Sequence, residues 1–311
     1  MNKKATLLCV GSAMSLLAIP ASASAQSTGS LRLSTGVSYS SGDYGEVEDT
    51  EVIAIPMALT YRKSGFKFKV SMPYVWVDGP GSLLLTPEGG GDGSGQGRGR
   101  GRGRGGDSDN SGSGSFSSGS GSGELEVENE LEDEVLADDD IVDEDGFAAV
   151  DQSRQGIGDV NISLGYSAHL GGGFYLEPEV KVKLPTASRA KRLGSGETDF
   201  VVSMDLVKEL GDISIYGGLQ RRFAGKPEGS TIRSTWGASA GFSLRAADGI
   251  AVGAGYSWQE SAFEGRQASS DVSGWVSTRL NDRMNLSLYA GTGLNDNSAD
   301  LFAGAGLSFR F

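Results

Sequence analysis

The sequence predicts an all-β fold: a transmembrane, antiparallel, up-and-down β-barrel of about 12 strands with one long disordered external loop. Three observations predict it. Segments of roughly strand length repeat a strict apolar/polar alternation, which places one kind of side chain on each face of a strand. The connections between these segments are alternately short and long, the rhythm of barrels that span an outer membrane. The apolar run Ala5 to Ile19 near the N-terminus is shorter than the roughly 20 residues a spanning helix needs.

That run belongs to a leader. Lys3 and Lys4 precede it, and Ala23-Ser24-Ala25 offers a small-residue cleavage site before Gln26, so residues 1–25 are expected to be a signal peptide and 26–311 the barrel. Leu8 before Cys9 is a poor match to a lipoprotein site, and Cys9 is the single cysteine of the sequence. The exported protein is therefore expected to hold no thiol or disulfide.

The strands expected from alternation are 30–40, 51–62, 65–77, 157–170, 174–184, 199–210, 212–223, 235–245, 250–258, 270–280, 284–293 and 300–311. In 157–170 the residues Val160, Ile162, Leu164, Tyr166, Ala168 and Leu170 share one face, against Asn161, Ser163, Gly165, Ser167 and His169. In 65–77 Phe66, Phe68, Val70, Met72, Tyr74 and Trp76 oppose Lys67, Lys69 and Ser71. The last strand sets Leu301, Ala303, Ala305, Leu307, Phe309 and Phe311 against Gly304, Gly306, Ser308 and Arg310. A soluble sandwich also alternates, so the connections decide. Lys63-Ser64, Gly171 to Gly173, Gly211, Ala246 to Gly249 and Asn281 to Arg283 are tight. Ser41 to Thr50, Asp78 to Gly156, Pro185 to Thr198, Ala224 to Ser234, Gln259 to Ser269 and Leu294 to Ala299 are longer. Short periplasmic turns and long external loops have that order.

Residues 78–155 form a low-complexity insert, with a Gly-Arg tract from Gly97 to Gly105 and an acidic stretch from Glu124 to Asp145. The chain's net charge of −13 resides here: residues 88–154 hold 18 acidic and 5 basic residues, and the remainder holds 22 of each sign. Such a segment cannot bury enough apolar surface to offset its ordering entropy, so an external disordered loop is expected. The balanced remainder leaves no basic field for nucleic acid, and no nucleic-acid partner is expected.

No catalytic, cofactor-binding or metal-binding constellation is legible. His169, the only histidine, stands beside a tight turn with no nucleophile near it in the pattern. No enzyme activity and no cofactor are expected. The polar parity instead supplies candidates for the barrel lumen: Arg32, Lys67, Lys69, Glu177, Glu179, Lys181, Lys183, Asp205, Arg222, Arg245, Arg279 and Arg310, with Asp199 and Glu209 on the same parity. Charges of both signs among small residues suit a wet passage, and about 12 strands leave an interior between a filled barrel and an open pore. The apolar parity, with Tyr39, Tyr61, Tyr74, Trp76, Trp236, Tyr256, Trp258 and Phe309 near strand ends, is expected to meet outer-membrane lipid. The terminal Phe311 is the expected contact for the barrel-assembly machinery.

Gly156-Ile157-Gly158-Asp159 opens one strand, Lys183-Leu184-Pro185-Thr186 closes the next, and Leu193-Gly194-Ser195-Gly196 with Asp199 opens a third. This resembles the outer-membrane transporter family named for the meta-pathway of phenol degradation, over roughly residues 156–311. Ala187 stands where that pattern has glycine. The resemblance implies a bacterial outer-membrane channel for small molecules, including aromatic or hydrophobic ones. The alternative is a non-conducting surface barrel that displays the acidic loop for adhesion or cation binding.

Overall fold

The computed structural model describes residues 29–44, 48–79, 153–227, 232–263 and 265–311. The strands are β1 (Ser30–Gly42), β2 (Thr50–Lys63), β3 (Phe66–Asp78), β4 (Ser153–Ile157), β5 (Val160–Tyr166), β6 (Ala168–Gly171), β7 (Phe174–Leu184), β8 (Asp199–Leu210), β9 (Ile213–Phe223), β10 (Thr235–Ala247), β11 (Ile250–Gln259), β12 (Ser269–Arg279), β13 (Met284–Gly293) and β14 (Leu301–Arg310). The expected leader and the body of the insert lie outside the described residues.

Every pairing is antiparallel, and each strand pairs with its sequence neighbours. The sheet closes because β1 pairs with β14 as well as with β2. β4 and β5 both pair with β3, and β5 and β6 both pair with β7. These three pieces are therefore one broken stave, and the 14 segments make a closed barrel of 12 strands.

The break has a local cause. Tyr74 pairs with Ile157 and Ser71 with Asn161, so Met72 and Pro73 face the three residues Gly158 to Val160. Three residues against two is a bulge. Pro73 has no N–H for the ladder, and its carbonyl accepts the Gly158 N–H at 2.9 Å. The fourth expected strand, 157–170, thus begins four residues earlier, at Ser153, and is interrupted at Gly158-Asp159 and at Ser167. Asp78 pairs with Ser153, so the segment between them leaves and rejoins neighbouring strands at one rim.

The short turns arise from backbone chemistry. Between β2 and β3 both turn residues have positive φ, 51° at Ser64 and 86° at Gly65, which is the type I′ geometry that matches strand twist. The alternation sorts the faces. Leu164 is 54% exposed on the outside and Ser163 only 5% exposed inside. Phe200, Val202, Met204 and Leu206 are likewise exposed, between buried Val201, Asp205 and Val207. An apolar exterior around a partly polar interior inverts a soluble protein and fits a hydrocarbon surround. Among the described residues no helix is long and apolar enough to cross a membrane; the crossing elements here are strands.

Candidate functional site

The inner face of the barrel divides into two walls. One runs over β3, β5, β7, β8 and β9 and carries charge. The other runs over β10 to β14 and β1 and carries glycine, serine and aromatic rings.

On the charged wall a buried network stands toward the end where the long loops emerge. Lys183 Nζ lies 3.0 Å from Asp199 Oδ2 and 3.3 Å from Asp159 Oδ2. Arg222 donates to Asp199 Oδ2 from Nη2 at 2.6 Å and from Nε at 3.1 Å. Asp199 Oδ1 accepts the Gly225 N–H at 2.9 Å, and Lys183 Nζ donates to Ser195 Oγ at 3.1 Å. Two acids and two bases thus neutralise one another out of water, which holds only when hydrogen bonds fill the remaining valences.

The network fastens the loop 185–198. Asp159 Oδ1 accepts the Ala187 N–H at 2.9 Å, and Thr186 Oγ1 accepts from Val160 N at 2.9 Å. The loop turns inward: Ala187 and Leu193 pack in a buried cluster with Val52, Ala54, Val75 and Val77, the inward residues at the loop end of β2 and β3. Two glycines permit the fit. A Cβ on Gly156 would stand 2.7 Å from Leu193 Cδ1, and one on Gly194 would stand 2.9 Å from both Ala187 Cβ and Asp159 Oδ2. The three motifs that carry the family resemblance therefore meet at one place.

Lower on this wall, Lys67 pairs with Glu179 at 2.5 Å, and Glu177 accepts the Ser167 hydroxyl at 3.0 Å. Lys69 and Lys181 flank Ser163 from either side in the register. Asp205 is buried, opposite Glu177 on one side and Gly218 on the other. At the end of the short turns, Arg32 lies directly opposite Arg310. Arg310 Nη2 donates to the Asp282 carbonyl at 3.2 Å, Arg245 pairs with Asp212 at 3.1 Å, and Arg279 ends β12 exposed.

The second wall was not singled out from the sequence. Trp275, Tyr289 and Phe302 project inward and are buried with Tyr44, Ile232, Ala262, Phe263 and Ala299 from four different loops. The rings lie over glycines on neighbouring strands: Trp275 over Gly253, Tyr289 over Gly304, Phe302 over Gly291, and Tyr216 over Gly241 and Gly255. The signal was present, since Trp275 shares the parity of Asp271, Ser273 and Ser277; an aromatic on a polar face marks an inward ring. The loops are knit across this mouth by Arg233 N to Ala262 O at 2.8 Å, Arg233 Nε to Ser261 O at 3.0 Å and Arg266 Nη1 to Tyr44 O at 3.3 Å. Burial, with Asp300 nearby, pushes the Tyr44 phenol up to about 12. It stays neutral at ordinary pH.

Outward side chains mark two polar borders. At the loop end Arg221 stacks 5.1 Å from the Trp236 ring and stands 3.8 Å from Glu260. At the turn end Lys208 lies 4.0 Å over the Phe174 ring and donates to the Gly172 carbonyl at 2.6 Å. Cations seated on aromatics at both edges of an apolar band are interfacial anchors.

A closed 12-stranded antiparallel barrel, apolar outside and lined inside by ion pairs and rings, is a β-barrel of the outer-membrane type. Residues 64–311 match the model of the family described as "Putative MetA-pathway of phenol degradation", and the chain belongs to that family. In structure it is similar to the COG4313 outer membrane channel from Pseudomonas putida F1, with a TM-score of 0.56 and 12% identity, over 94% of this chain and 99% of that one. It is also similar to the KdgM porin in complex with disordered oligogalacturonate (TM-score 0.46, 7% identity, 89% of this chain and 99% of that one). A third similar structure is the beta domain of the Bordetella autotransporter BrkA (0.42, 12%, 90% and 98%). No curated protein matches the sequence. At these identities the likeness is one of fold.

Proposed function

We propose that this protein is a bacterial outer-membrane channel for small molecules, with aromatic or otherwise hydrophobic compounds as its solutes. The observation that carries this reading is the two-walled interior. A ring-bearing solute entering from the loop end can stack on Trp275, Tyr289 and Phe302, while the opposite wall of Lys69, Lys181 and Glu179 meets its polar groups and water. Mixed aromatic and charged walls let an amphipathic molecule shed part of its hydration without losing all polar contact. The inward loop 185–198 and the knitted loops above the second wall narrow the mouth, so entry requires the Leu193 contact to open.

In this reading residues 1–25 are removed on export, the segment 79–152 lies outside the cell, and the short turns face the periplasm. The apolar exterior sits in outer-membrane lipid, and the strand ending at Phe311 is handed to the assembly machinery. The filled mouth also favours a second reading, a closed barrel that displays its external segment. Bilayer recordings separate the two. The channel reading expects conductance from the refolded protein, increased in Leu193→Gly and shifted toward cation selectivity in Lys181→Glu. Insertion without conductance, in wild type and Leu193→Gly alike, sinks it.

A further inference from the structure

At the turn end, the inner face of seven successive strands, β10 through β14 and then β1 and β2, carries five arginines and, among the described residues, no carboxylate. The five are Arg245, Arg279, Arg310, Arg32 and Arg62. Between them stand small or neutral residues such as Ser277, Asn285 and Thr60. The acids of this end, Glu177, Glu179 and Glu209, lie on β7 and β8. Two like-charge pairs are directly opposed across strands, Arg32 with Arg310 and Arg62 with Lys67. Such pairs weaken a sheet, and here two occur side by side at the closing seam.

Lysine would serve as well for a solvated rim. All five inward cations on this arc are instead arginine, whose planar fork takes a carboxylate through two parallel hydrogen bonds. Arg245 also meets the Asp212 carboxylate and Arg310 the Asp282 carbonyl, both of them from the turns. Neither of those two acceptors lies on the inner face.

We propose that this arc is a binding station for a carboxylate-bearing small molecule, held by Arg32, Arg62, Arg279 and Arg310. It deepens the channel reading, on which it rests: the solute that leaves the aromatic wall is an organic anion, drawn toward the periplasm by a field of one sign. A neutral aromatic would cross the same wall but would not be held at the exit. The charged network at the loop end is neutral in sum, so the field points one way.

The test uses the full chain refolded in detergent and two fluorinated probes of equal size, 4-fluorobenzoate and 4-fluorobenzamide, followed by fluorine NMR line broadening. Benzoate is expected to bind measurably tighter than benzamide. That preference is expected to fade between about 0.05 and 0.5 M salt, as screening shortens the reach of the arginines. Arg32→Gln with Arg310→Gln is expected to lower benzoate affinity roughly fivefold or more, with benzamide unchanged. Because those two flank the closing seam, Arg62→Gln with Arg279→Gln is measured as well, and the same loss is expected. Equal binding of the two probes, or unchanged benzoate affinity in a folded variant, overturns the proposal. Binding requires no conductance, so a protein that holds benzoate at the arc yet never conducts keeps this site and loses the channel reading.

Discussion

Placing a charge on each face of β5 offers a quantitative check of the barrel. Leu164 points outward between Phe68 and Val180 in the register. It lies two residues from Tyr166, whose ring packs against Phe66 with centroids 4.7 Å apart at the turn-end border. Two residues advance about 7 Å along a strand, or about 5 Å along the membrane normal at a tilt near 40°. The apolar band is about 25 Å tall, so Leu164 lies less than halfway to its midplane. Arginine costs about 2–4 kcal/mol at the midplane and about 0–1 at the border, so Leu164→Arg is expected to cost about 1.5–2 kcal/mol.

Ser163 points inward between Lys69 and Lys181. There, arginine meets a like charge on each side, at about 0.2–1 kcal/mol per pair, whereas glutamate meets an opposite one. Ser163→Glu is therefore expected to match or exceed wild-type stability, while Ser163→Arg falls below it. Equilibrium unfolding in lipid vesicles by urea, followed by tryptophan fluorescence, measures all three. If Leu164→Arg were neutral, or Ser163→Glu more costly than Ser163→Arg, the assigned faces would be wrong.

Asp199→Asn leaves Arg222 buried without its carboxylate, while Asp159 still faces Lys183. A loss of about 3 kcal/mol is expected, at the low end for breaking a buried pair, and adding Arg222→Gln should cost less than the sum; the same urea titration reads both. Deleting 88–150 should leave a folded barrel that reaches the membrane, as seen by heat-modifiable migration on gels. Extending the deletion through Arg154 should impair it, because Arg154 Nη1 donates to the Gly79 carbonyl at 2.7 Å and closes the rim. Burial and the neighbouring Asp43, Asp49 and Asp296 raise the Asp300 carboxyl above its ordinary range. A carboxyl that holds its proton more tightly when folded weakens the fold once ionised, so stability is lost as pH rises through its folded value. Asp300→Asn should therefore stabilise at pH 7, with the advantage disappearing below the carboxylate range; an advantage that grows in acid refutes this.

Alternation and turn chemistry are local properties, and the sequence by itself determined everything that depends on them alone. The parity of Leu164 against Ser163, the Ser64-Gly65 turn and the sequence positions of the twelve staves require only neighbouring residues and the strand period. The inward direction of Lys67, Glu179 or Arg310 comes from the same period. What only the tertiary structure decided is which of these side chains meet. Asp159, Lys183, Asp199 and Arg222 lie on β5, β7, β8 and β9 or their margins, and their separation in the chain says nothing about the distances between them until the strands register. The bulge at Gly158 arose because Pro73, on another strand, withholds a hydrogen bond. The aromatic wall was hidden for a similar reason: Trp275, Tyr289 and Phe302 find room inside only because glycines on adjacent strands face them. That complementarity is a property of pairs of strands, and it exists only after closure has chosen the neighbours.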